Sequence, residues 1–256
     1  MGGGGKGGGG SSSYVVGHRY YAGLHLAICH GPVDAVTRII VGERTAWSGS
    51  VTSSQTLYVN APELFGGDSR EGGVQGYVEI KMGGAAETVS GYLQQKLGSV
   101  IPAFRGVVSI IAQQCQLSAM NPYIKPWSIE ARRIPAPAAL GSGYINGDAN
   151  PAHIIYECLH NATWGLGYAA SEIDATSFQT AANTLASEQY GLSLLWEREQ
   201  PLEEFIAEIL RHIDGTLYVH PRTGKFVLKL ARADYNVSSL LVLDASNILE
   251  LESFSR

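Results

Sequence analysis

Between His18 and about Pro135, turn-forming residues cut the chain into strand-length pieces, and this punctuation limits the fold more than any other feature of the sequence. The stretches "HGPVD", "NAPELFGGD" and "REGGVQG" combine proline, which fixes φ, with asparagine, aspartate and glycine, which tolerate tight turns. Between the turns the apolar residues alternate. Leu24, Leu26 and Ile28 interleave with His25, Ala27 and Cys29, the period-two pattern of a strand with one buried face. "GYVEIKM" and "RGVVSIIAQQCQL" continue the pattern. One short helix fits residues 88–97, closed by Gly98 as a C-terminal cap.

The periodicity then changes. "IPAPAALGSGYINGDANP" mixes Pro, Ala, Gly and polar residues with no repeat, which reads as a linker over 136–150. Beyond it, Asn150 is placed to cap a helix with Pro151 at its first position and Ile154, Ile155 and Leu159 as its apolar stripe. Asp174 begins a second helix with Phe178, Ala181, Ala182 and Leu185 inward, ended by Gly191. The third is the clearest: Leu202, Phe205, Ile206, Ile209, Leu210 and Ile213 recur at helical spacing, with Glu203, Glu204 and Glu208 on the other side. A strand is expected at 192–196. "TLYVHPRTGKFVLKL" reads as a hairpin turning at Pro221 to Gly224, with Phe226, Leu228 and Leu230 facing inward. The expected fold class is therefore α+β and β-rich. Its parts are a glycine-rich arm (1–16), a β-rich domain (17–135), the linker, and helices on a small antiparallel sheet (151–256). No repeat of about 20 to 50 residues is present.

Composition excludes several functions. With 256 residues and 45% hydrophobic content, the chain is able to bury a full core, yet its longest apolar runs, "GVVSII" and "SLLVL", are far short of a membrane span. No charged and apolar leader begins it, so synthesis in a cytoplasm is expected. A net charge of -5 without charge blocks gives no basic footprint for nucleic acid, so no sequence-specific nucleic-acid binding is expected. Cys29, Cys115 and Cys158 are odd in number and lack paired spacing, which argues against a disulfide framework and against a zinc site.

The best chemical constellation is "HIIYECLH", in which His153, Glu157 and His160 share a helix face. The two histidines are two turns apart, however, roughly 10 Å along the axis, whereas a zinc-protease helix sets them one turn apart. A polar helix face is the favoured reading. Cys29 beside His30 points to opposite faces of a strand. The acid pairs Glu203 with Glu204 and Glu197 with Glu199 lie on or beside a solvated helix face, and no nucleophile elbow is present. No catalytic residue, cofactor or metal is assigned. "HRYY" and Trp47, Trp127, Trp164 and Trp196 could form a sugar-binding surface, but fit core and interface positions better.

The arm "MGGGGKGGGGSSS" admits three readings. As a phosphate loop it fails, because Lys6 is followed by Gly7 instead of Ser or Thr. As a linker it is less favoured, because no tag or folded unit stands before it in the sequence, but that reading stays open. The favoured reading is an arm ordered by neighbouring subunits, with Gly2, Gly3, Gly4, Gly5, Lys6, Gly7, Gly8, Gly9 and Gly10 as interface residues.

The stretches "VGHRYYAGLHLAICHGPVDAVTRIIVGERTAW", "APELFGGDSREGGVQGYVEI", "IPAFRGVVSII", "NPYIKPWSIEARRI", "NPAHIIYECLHNATWGLGY" and "RHIDGTLYVHPRTGKFVLKLARADY" resemble the N-terminal part of tail tip attachment proteins of long-tailed phages, the central hub or J family. The family's core is similar to baseplate hubs, and its members commonly begin with a Gly- and Lys-rich arm. The resemblance spans about Val15 to Arg256. It implies a structural virion protein, not an enzyme. Baseplate-hub-like β-barrel domains followed by an α+β hub domain would form a homotrimer at the distal end of the tail. The partners it implies are the distal tail and other tail tip proteins, the tape measure protein in the lumen, and DNA in passage. Family members continue into receptor-contacting regions, so this chain is expected to be part of a longer polypeptide, with the host receptor met by regions beyond it. The alternatives are a tail-associated cell-wall hydrolase and a carbohydrate-binding module for the host surface.

Overall fold

A computed structural model describes residues 17–137, 140–141, 143–196, 200–244, 246–248 and 250. The chain divides into two compact units, the first ending at Ile134 and the second beginning at Pro135.

The first unit is built from β1 (Arg19–His30), β2 (Ala35–Val41), β3 (Arg44–Val51), β4 (Gln55–Ala61), β5 (Val74–Lys81), a short helix α1 (Gly91–Leu97), β6 (Val107–Ala119) and β7 (Trp127–Arg132). Two antiparallel sheets result, in the orders β1-β6-β5-β4 and β3-β2-β7. Alternation decides which residues meet. Val59, Val74, Val78, Ile80, Ile110 and Ala112 of the first sheet share one core with Val36, Ile39, Val41, Ala46 and Val51 of the second.

The β-barrel that the resemblance implies is not what this unit forms. Among the described residues no ladder joins an edge of one sheet to an edge of the other, so the sheets remain open and face each other. Residues 52–54 turn the chain out of one sheet and into the other, and the shared core is closed by facing the sheets together instead of by continuing one ladder around it. At one place the backbones approach too closely for side chains. A Cβ on Gly31 would lie 2.7 Å from the Cα of Gly83, and one on Gly83 would lie 2.8 Å from the Cα of Gly31. The glycine of "HGPVD" is therefore needed for packing as well as for turning.

The second unit contains β8 (Tyr144–Ile145), β9 (Asp148–Ala149), α2 (Pro151–His160), α3 (Ala175–Ser187), α4 (Leu202–His212), β10 (Gly215–Val219) and β11 (Phe226–Leu230). The helix starts are chemically explicit. Asn150 accepts the amide of Ala152 with Pro151 at the first position, and Asp174 accepts the amide of Ser177. In α4, Glu203 and Glu204 occupy the first turn and Arg211 and His212 the last, matching the helix dipole at both ends. Ile155, Leu159, Phe178, Leu185, Ile209 and Ile213 form the core, closed by Leu228 and Leu230 of the β10–β11 hairpin.

Three local expectations change. Residues 136–150 hold the β8–β9 pair and a buried Leu140, so what read as a linker is packed into the second unit where described. The strand expected at 192–196 is reduced to a single bridge between Leu192 and Ala149, since among the described residues no longer partner strand lies beside it. Helices α1 and α3 are shorter than expected, because Ser90 caps the first and the second ends at Ser187.

Candidate functional site

The glycine arm, with Gly2 to Gly5, Lys6 and Gly7 to Gly10, lies outside the described residues, as do Glu197 and Glu199. The helix-face trio is not gathered into a site. His153 is fully buried, its Nδ1 3.2 Å from the carbonyl of Pro135. His160 is exposed, with Nδ1 2.8 Å from the carbonyl of Tyr168, and Glu157 accepts a hydrogen bond from Asn161. Each group thus bonds to its own neighbourhood, and burial pushes the His153 imidazole below its ordinary pKa, favouring the neutral ring. Among the described residues no group of three His, Cys, Asp or Glu side chains is placed to hold a metal ion.

The other candidates disperse as well. Cys29 and His30 are consecutive in β1, and although Cys29 is exposed, partial desolvation raises its thiol, so no activated thiolate pair forms there. Glu203 and Glu204 face solvent. Trp47 and Trp127 pack against the first unit's core, and Trp164 against the second's. Trp196 stacks on Phe205 at 4.9 Å and sets its edge toward Trp164. No tryptophan platform forms.

What the fold does assemble lies on the outer face of the four-stranded sheet. Residues opposite one another in a ladder share a face, so the register lays out rows. One row reads Tyr21, Gln116, Gln75 and Asn60 across β1, β6, β5 and β4. The next holds Gln113, Tyr77 and Tyr58. At the β1 end of that row Gly23 has no side chain, and the Tyr92 hydroxyl of α1 occupies the gap, only 2.3 Å from where a Cβ would stand. Tyr58 and Tyr77 meet edge to face at 5.1 Å. Tyr21, Tyr58 and Tyr77 are 53%, 49% and 58% exposed, although tyrosine commonly hides at least its ring. The signal was present in the sequence, since "LYVN" and "GYVEI" place each tyrosine out of phase with inward valines.

Further along the same face the environment becomes ionic and largely buried. Lys81 is nearly buried and places Nζ 3.1 Å from Glu79 Oε1, 3.6 Å from Glu87 Oε2 and 2.8 Å from the carbonyl of Thr88. Glu79 also accepts from Ser90 at 2.6 Å, and Glu87 from Ser54 and from the amide of Met82. One ammonium thus serves two carboxylates, with hydroxyl and amide donors completing their shells. This arrangement ties the loop before α1 to the sheet. Elsewhere in the unit, an open cleft of about 1030 Å³ is lined by Arg44, Phe65, Glu71, Tyr123 and Lys125 among others. Lys125 pairs with Glu71 at 2.6 Å and lies 4.7 Å from the Phe65 ring centroid, so its charge is already answered.

Among the described residues no helix is long and apolar enough to cross a membrane. Comparison with protein-family models finds no match for the chain, and comparison with curated proteins finds none either.

Proposed function

We propose that the chain is the hub portion of a phage tail tip protein, a structural virion component at the distal end of the tail. It would close the tail tube as a homotrimer around the end of the tape measure protein and support host attachment and DNA passage. The observation that carries this reading is the ordered set of six sequence stretches that resemble the tail tip family, from "VGHRYYAGLHLAICHGPVD" to "RHIDGTLYVHPRTGKFVLKLARADY". Physical chemistry supports it in a general way. Leu240, Leu241, Val242 and Leu243 are all exposed, and apolar side chains in a row are stabilised when a neighbouring subunit covers them. The edges of the open sheets carry unpaired backbone groups of the kind a packed assembly protects.

Co-expression with the proteins that end the tail tube, followed by size exclusion and electron microscopy of negatively stained particles, tests the reading. Rings with threefold symmetry that contain this chain are expected. Failure to associate with any tail component, together with release of glycan or peptide from cell walls by the chain alone, would replace the hub with a hydrolase.

A further inference from the structure

We propose that the outer face of the four-stranded sheet, at Tyr21, Tyr58 and Tyr77, binds an oligosaccharide without formal charge. Exposed phenol rings stand beside the amides of Asn60, Gln75 and Gln113, the last also donating to Glu79, while Gln116 between Tyr21 and Gln75 is buried. Sugar rings have this dual character: their C–H faces stack on aromatic surfaces, and their hydroxyls donate and accept as amides and phenols do. Asn60 and Gln75 are held ready by the bond from Gln75 Nε2 to Asn60 Oδ1 at 2.9 Å, which leaves the second amide hydrogen of Gln75 for a ligand.

Charge selects among possible occupants. No charged side chain stands in the two rows. Of the groups that border them, Arg19 is paired with Asp68 and Glu79 with Lys81, while Lys96 lies 5.8 Å from the Tyr92 centroid. A single-stranded nucleic acid would stack on tyrosines too, but it needs a cationic track for its phosphates, and the rows have none. A protein partner favours an apolar centre with a polar rim. Here polar groups stand among the rings instead of around them, since the half-buried Gln113 on β6 and Gln75 on β5 lie between Tyr21 on β1 and Tyr58 on β4, while Gln116 is buried. Two strand spacings across and two residues along, roughly 12 Å in all, separate Tyr21 from Tyr77, so a ligand engaging both is an oligomer rather than a single sugar.

Titration of the full chain with cello-, chito- and malto-oligosaccharides at millimolar concentration, followed by amide chemical shifts, tests the proposal. Saturable shifts on the outer face of β1, β4, β5 and β6 are expected for at least one of them. Tyr58→Ala and Tyr77→Ala should each weaken binding about tenfold or more with only a small, similar drop in melting temperature, because either removes the same edge-to-face contact between half-exposed rings, and Tyr77→Phe should retain binding. Absence of saturable shifts with all three sugars would overturn the proposal. So would binding that neither alanine variant weakens, or an equal response to a poly-dT oligonucleotide.

Discussion

At the residue scale, buried titratable groups give the fold measurable handles. His153 is enclosed as a neutral ring, so its folded pKa lies below the ordinary 6.5 that it regains on unfolding. The unfolded chain then binds the proton more readily, and stability is lost as pH falls from about 6.5 toward the folded value. Thermal unfolding at a series of pH values should show this decline, and in His153→Gln the slope over that interval should be shallower even if the midpoint is lower throughout. His25, also lowered by burial, adds a slope of the same sign in the first unit, so the variant removes only its own share. The cysteines make a second expectation. Burial pushes Cys115 up to about 11 and Cys158 up to about 12, while Cys29 is exposed. Mass spectrometry after alkylation near pH 8 should find one modification in the native protein, at Cys29, and three in urea. Lys81 makes a third. Lys81→Met leaves Glu79 and Glu87 facing each other without a cation, and the first unit should lose roughly 3–5 kcal/mol in a denaturant titration.

At the element scale, helix α4 shows why parts of the fold were legible in advance. Ile209 is fully buried one position from an exposed Glu208, so the helical period can be read directly as a core stripe. Ile209→Ala should cost about 2–5 kcal/mol, whereas Glu208→Ala should stay within about 0.5 kcal/mol, as compared in urea. The same logic exposed the caps at Asn150 and Asp174 and the hairpin at Pro221 to Gly224, because each depends on residues close in sequence. The misread elements depend on distant ones. Leu140 looks like part of a flexible Ala-Pro tract until the second unit's core supplies its partners. Leu192 to Trp196 has strand-forming residues, but a strand requires a neighbour of matching length, and Ala149 offers only one bridge. The tyrosine rows were hidden for a related reason. Tyr58 and Tyr77 alternate with inward valines on their own strands, whereas Tyr21 in "HRYY" read as a core or interface position, and only the register across β1, β6, β5 and β4 brings the three onto one face.

At the scale of the whole molecule, two compact units with separate cores explain the change of periodicity near Ile134. Open sheets in the first unit and exposed leucines near 240–243 in the second leave surfaces that a subunit of a larger assembly would bury. The hub reading turns this into a count of copies. Native mass spectrometry of the chain, alone and then mixed with the protein of the last tail-tube ring, is the most direct test. The account requires three copies, either free in solution or on the ring. A chain that stays monomeric in both conditions would contradict it.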